Sequence, residues 1–361
     1  MIHTLRILPV LALIQLSLLG KPFHIYSPSS KQNTLWIVKA IPKGESLKLE
    51  VAEKVKFDFS GRVITAHPSK PLLYVTATGG DPGKVPGAVV FLNKDGSYLK
   101  HQNINFNDGA CFLSLDKENR HILGVSYGNG RLNVYPLDDQ GIPGKAVTTI
   151  DEGKKEAHCV LLPPDGKNVY IPYVKGNLAI LQYAYDGNTG KVTPLKPKEA
   201  KPPLGSGPRH MAYHPTLPMV YFSNEQGIGL SSYRREANGQ LKVEQDISIL
   251  PPGMSKIGLS ASDLLITPDG KFLYAGLRGH RQDFSRISRY RVMEDGKAEF
   301  LGLTEADQVP WGLTLSPDGN FLLVSATTGS SLAAYRISKD GNLKRVASLA
   351  WDARMSDLVT R

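Results

Sequence analysis

Cysteine is almost missing from this chain: Cys111 and Cys159 are the only two in 361 residues. Two thiols build neither a disulfide framework nor a four-cysteine zinc site, and no CxxC pair occurs, so both are read as buried free thiols. A Gly-x-Ser-x-Gly elbow, a His-Glu-x-x-His helix and a P-loop are absent as well, which leaves serine-hydrolase, zincin and P-loop chemistry without sequence support. Long apolar runs are also lacking. The stretch 7–19, preceded by His3 and Arg6 and broken by Pro9 and Gln15, is too short to span a bilayer but suits the core of a secretory signal. We expect a leader over 1–20, although no small residue stands three before a cut after Gly20, and hence a periplasmic or secreted protein with no stable membrane insertion. A cytoplasmic location is the alternative.

The formal net charge is +10, which admits anionic partners. Basic residues are scattered among acidic ones, and no recognition helix or RNA-binding motif is present, so nucleic acid is not an expected partner. One cluster is denser: Lys191, Lys196, Lys198 and Lys201 precede Pro208-Arg209-His210, where a long loop would raise the potential over a nearby site.

What the chain does have is a repeated phrase: an apolar stretch, a turn, and a second apolar strand. It ends on Tyr74, Leu123, Tyr170, Tyr221, Tyr274 and Leu323, at spacings of 49, 47, 51, 53 and 49 residues. That period, with strand alternation and Gly/Asp/Asn turns, is the signature of an all-β propeller of four-stranded antiparallel blades. The repeat overrides the two-domain prior that length suggests, giving one domain over 21–361. Segments 23–59 and 355–359 each lack a full set of strands, so together they predict a seventh blade shared between the termini that closes the ring. The landmark tyrosines are read as packing between blades.

Registering the repeats on one another locates the chemistry. Counting back from the turn, His158 aligns with Arg209, both beginning an innermost strand; counting forward four, Glu225 follows Tyr221 as Arg278 follows Tyr274. Adjacent antiparallel strands bring the start of one beside the end of the next. His158, Arg209, Glu225 and Arg278 are therefore expected at one mouth of the channel, supplying an acid/base pair and two guanidinium groups. Strand alternation turns His210 away from Arg209; it is nonetheless a candidate substrate-binding residue beside the two arginines. His210 and His214, four apart, form a conceivable metal pair, with a structural role favoured for His214 at its turn. Asp108 and Asp263 near inner-strand starts are minor candidates for a channel cation. The loop after Arg278, at 279–283, is a candidate lip of the cleft.

The stretches Gly207-Pro208-Arg209-His210-Met211-Ala212-Tyr213-His214-Pro215, Val220-Tyr221-Phe222-Ser223-Asn224-Glu225 and Phe272-Leu273-Tyr274-Ala275-Gly276-Leu277-Arg278-Gly279-His280 resemble the seven-bladed propeller lactonase family. That family includes bacterial 6-phosphogluconolactonases and the fungal 3-carboxy-cis,cis-muconate lactonizing enzyme. The resemblance implies that its active-site histidine, arginines and glutamate correspond to His158, Arg209, Arg278 and Glu225. It further implies hydrolysis of a sugar-type lactone without cofactor or metal, on a small anionic lactone or dicarboxylate; a muconate-type cycloisomerase and a non-catalytic binding propeller are the alternatives. Two family triplets are altered, to Val125-Ser126-Tyr127 and Ser325-Ala326-Thr327, so the surrounding pocket is expected to differ.

Overall fold

A computed structural model describes residues 20–351 and 354–361. The expected leader at 1–20 therefore lies, apart from Gly20, outside the described residues. Among the described residues no helix is long and apolar enough to cross a membrane.

The chain is a ring of seven antiparallel sheets, as the repeat predicts. Blades 1 to 6 follow in chain order over 63–106, 112–150, 157–200, 208–248, 259–305 and 310–350. Blade 7 is built from both ends: Phe23–Ser29, Thr34–Lys43 and Ser46–Lys56 form its outer strands, and Val359–Thr360 pairs with the first of these (Ile25 with Thr360, Tyr26 with Val359). The termini thus share the last blade and leave no open edge to the ring. Blade 3 has three regular strands; its innermost course, 157–162, joins through single bridges from Ala157 to Tyr173 and Leu161 to Tyr170.

The second strands of blades 1 to 6 are buried along their whole length, as in Leu72–Thr76 and Met219–Asn224, whereas outermost strands are largely exposed, as in Lys191–Ala200. Blades are then locked in sequence by tyrosines. The hydroxyls of Tyr26, Tyr74, Tyr170, Tyr221 and Tyr274 donate to the carbonyls of Gly96, Gly141, Gly239, Gly296 and Gly341, each in a turn of the next blade, at 2.5–3.1 Å. Each acceptor glycine has φ between +81° and +87°, a conformation that disfavours any side chain. Leu123 and Leu323 replace the tyrosine in blades 2 and 6. The packing role read for these tyrosines is borne out.

In blades 1 and 4 a histidine before the first hairpin caps it. His67 Nδ1 accepts from the Ser69 and Lys70 N–H groups, and His214 Nδ1 from those of Thr216 and Leu217. His214 is therefore a turn residue and not half of a metal pair.

The expected place of the lysine cluster over the site is corrected. Lys191, Lys196 and Lys198 lie on Lys191–Ala200, the outermost strand of blade 3, with Lys198 paired to Glu152 at 2.5 Å. None of the four lysines lines the channel cavity.

Candidate active site

His158 enters blade 3 at its innermost course, where its backbone N–H donates to Pro172 O. Arg209 is the second residue of Pro208–Tyr213, and Glu225 directly follows Met219–Asn224. Gly207, at φ +62°, brings its carbonyl to the Glu225 N–H at 2.7 Å; a Cβ there would collide with Gln226 Oε1. Arg278 closes Phe272–Gly279 in blade 5, across from Ser260.

The three strand ends converge. Glu225 Oε2 lies 3.0 Å from Arg209 Nε and 3.2 Å from Arg278 Nη2. Arg209 Nε nonetheless has no aligned hydrogen-bond acceptor, so its contact with Glu225 is an off-axis ion pair. The Arg209 and Arg278 side chains are 1% and 4% exposed and that of Glu225 13%, so this is a buried triad. Arg278 also donates to Ala261 O at 2.7 Å. Burial and the facing Arg209 pull the Arg278 pKa down to about 9, which still leaves it charged at neutral pH.

All four sequence-derived residues line one cavity of about 550 Å³ on the channel. His158 lines it with its ring against Tyr127, at a centroid distance of 5.6 Å. Burial, Arg209 and His210 hold the His158 pKa well below the ordinary histidine value, so the imidazole is neutral at physiological pH.

The expected direction of His210 is overturned. Register slips between Pro208 and Met211, and this bulge puts both Arg209 and His210 on the cavity side. His210 Nδ1 lies 2.6 Å from Asp263 Oδ1, and its ring is 5.1 Å from that of His158. The two cation candidates stand apart. Asp263 lines the cavity, while Asp108 is buried outside it, accepting from Asn129 and Asn133 Nδ2 at 2.6 and 2.8 Å. Both cysteines are free; Cys111 lines the cavity with its thiol pushed up to about 12 by burial, and Cys159 is buried. Among the described residues, no three His, Cys, Asp or Glu side chains are grouped to hold a metal ion.

Sequence reasoning missed several lining residues that its own register would have found. His158 and Arg209 each stand five before the turn-opening residue, and the same count selects Arg62, Cys111 and Trp311, all on the cavity wall. In blade 5 a register slip between Ala261 and Leu264 puts Ser260 there instead. Trp311 is the hub of the cations: the guanidinium carbons of Arg278, Arg209 and Arg62 lie 4.4, 5.8 and 5.9 Å from its ring centroid. Lys175 reaches the wall over Tyr127, at 5.3 Å. His280, from the loop after Arg278, forms part of the lip.

The family model for the seven-bladed β-propeller lactonases matches residues 29–353. The chain belongs to that family. Among its relatives are proteins named 6-phosphogluconolactonase from Cronobacter sakazakii, 28% identical over 321 residues (88% of this chain, 91% of the relative), and from Photorhabdus laumondii, 30% identical over 244 residues (67% and 71%). A solved structure of a periplasmic gluconolactonase from Pseudomonas aeruginosa superposes with a TM-score of 0.82 at 19% identity, covering 94% of this chain and 99% of that one. A structure described as a 6-phosphogluconolactonase from Bacteroides fragilis gives 0.79 at 18% identity, covering 94% and 98%. At these identities the structures speak for the fold.

Proposed function

We infer that this lactonase-family member hydrolyses a sugar-type lactone with its own side chains, without a metal, at the cavity bounded by His158, Arg209, Glu225 and Arg278. The observation that carries the reading is the convergence of two buried guanidinium groups on one carboxylate oxygen beside a neutral imidazole. Such a pair binds a carboxylate or phosphate, or the oxyanion that develops when water attacks the lactone carbonyl. Of the two acid/base candidates, the neutral imidazole of His158 is the one free to take up a proton, while Glu225 is engaged by the arginines. The relatives named 6-phosphogluconolactonase favour hydrolysis over a muconate-type cyclisation, which the same arginines would also serve.

Assaying purified protein against aldonolactones, phosphorylated lactones and muconates tests this directly. Ring opening of a lactone is expected. Consumption of muconate without water incorporation assigns a cyclase, and silence towards every compound assigns a binding propeller. We further propose that 1–20 is a leader removed on export and 21–361 the single propeller unit. Fractionation should find a shortened protein outside the cytoplasm; intact Met1 in the cytosol would overturn that.

A further inference from the structure

Two buried ring nitrogens near the site lack partners: Nδ1 of His158 and Nε2 of His210. Burying a polar atom without a partner is costly, so a pair of such atoms on touching rings calls for an account. The rings are 5.1 Å apart at 59°, the separation about expected of two imidazoles joined by one N–H···N bond of ordinary length.

We propose that Asp263 and His210 are positioning residues that form a relay behind His158 and set it as the general base of lactone hydrolysis, with its Nε2 lone pair facing the cavity. This rests on the lactone reading above. The chain of bonds is determined from its far end. Asp263 Oδ1 accepts the Leu264 N–H and Oδ2 the Leu313 N–H, each at 2.8 Å, so the carboxylate is anchored and its Oδ1 takes the proton of His210 Nδ1. Burial opposes the Asp263 charge, but His210, the Leu313 N–H and Arg209 outweigh it and hold the carboxyl below its usual range. His210 Nε2 is then an acceptor, and the one buried donor on the ring beside it is His158 Nδ1–H. With that proton on Nδ1, His158 Nε2 is unprotonated.

The other carboxylate is occupied. Glu225 Oε2 lies between Arg209 and Arg278, and Oε1 accepts from Gln226 Nε2 at 3.3 Å, so Glu225 acts as counter-ion to the arginines. In the step, a water oxygen bonds to the lactone carbonyl carbon while its proton passes to His158 Nε2. The oxyanion faces Arg209 and Arg278; on collapse the ring C–O bond breaks and the ring oxygen takes the proton back from His158, leaving the hydroxy acid.

The groups facing His158 that shape its titration are Arg209, His210, Arg278, Tyr127 and Cys111, with Asp263, Glu225 and Lys175 one contact further out. Three measurements test the relay. Nitrogen NMR of the wild-type protein at neutral pH should show both histidines protonated at Nδ1 and bare at Nε2. Asp263→Asn, which removes the carboxylate charge behind His210 and sets an amide N–H against a donor that the carboxylate accepted, should lower kcat about 100-fold with KM little changed. His210→Phe, which keeps the ring but removes both nitrogens, should do the same and displace the acid limb of the kcat profile. Asp263 also joins two blades, so His210→Phe and the wild-type NMR decide the matter if Asp263→Asn misfolds. An Nε2–H tautomer at His158, or a His210→Phe enzyme with wild-type kcat and acid limb, overturns the relay while leaving lactone hydrolysis standing. Lack of wild-type turnover on every lactone overturns hydrolysis and the base role together, and the NMR then reports on the bonds alone.

Discussion

Asp263, on the inner strand of blade 5, and Asp357, two residues before Val359–Thr360 in blade 7, make the same pair of backbone bonds. Each accepts the N–H of the residue after it, Leu264 or Leu358, and one N–H from the next blade, Leu313 or Ile64, at 2.8–2.9 Å. His210 makes the difference. It supplies Asp263 with a third donor and keeps it ionised, whereas burial, with Asp263 adding repulsion, pushes Asp357 up to about 8.

That contrast predicts a pH dependence. A folded-state pKa raised above the unfolded value means that the native protein binds more protons between the two, so Asp357 removes stability as pH rises from about 4 to about 8. Asp357→Asn should flatten this decline, starting lower at acid pH through the loss of one N–H acceptor and meeting the wild-type curve towards pH 8. Melting temperatures across that window measure it; parallel curves would place the proton elsewhere.

Glu225→Gln removes the charge that two buried guanidinium groups share. Turnover should fall about 100-fold through loss of arginine alignment, and stability by about 3 kcal/mol, the order seen when one partner of a buried ion pair is deleted. Steady-state kinetics and denaturant unfolding report the two effects separately. A variant with wild-type activity would remove Glu225 from the site.

Arg209→Lys keeps the charge but loses the planar fork and its place beside Trp311. KM for an anionic substrate should rise about 10-fold or more with a smaller change in kcat. An equal loss on neutral and anionic lactones would show that Arg209 serves the oxyanion instead.

Tyr221→Phe deletes one inter-blade bond and leaves the Gly296 carbonyl without that donor. The expected cost is about 1 kcal/mol, without change in kcat. Equilibrium unfolding checks the first statement and kinetics the second.

Removing 354–361 should be far more damaging, because it takes away the inner strand of blade 7 and Asp357, and with them the closure of the ring. A melting temperature equal to that of the full chain would mean that the ring does not depend on its terminal strand.

The ring was legible because its causes are local and repeated. Two-residue alternation, turn residues and a period near 50 determine blade number, strand order and the shared seventh blade, and the same register brings His158, Arg209, Glu225 and Arg278 to one mouth. Once strands are antiparallel and blades equivalent, position in the repeat is position on the ring. Tertiary structure decided what departs from that period. The bulge between Pro208 and Met211 turns His210 into the cavity, which alternation alone forbids. The partner of His210 lies 53 residues away in the next blade, and the arginines of blades 1, 4 and 5 meet across Trp311 of blade 6. Such contacts depend on how adjacent blades tilt and pack, a property of the closed ring that no single repeat encodes.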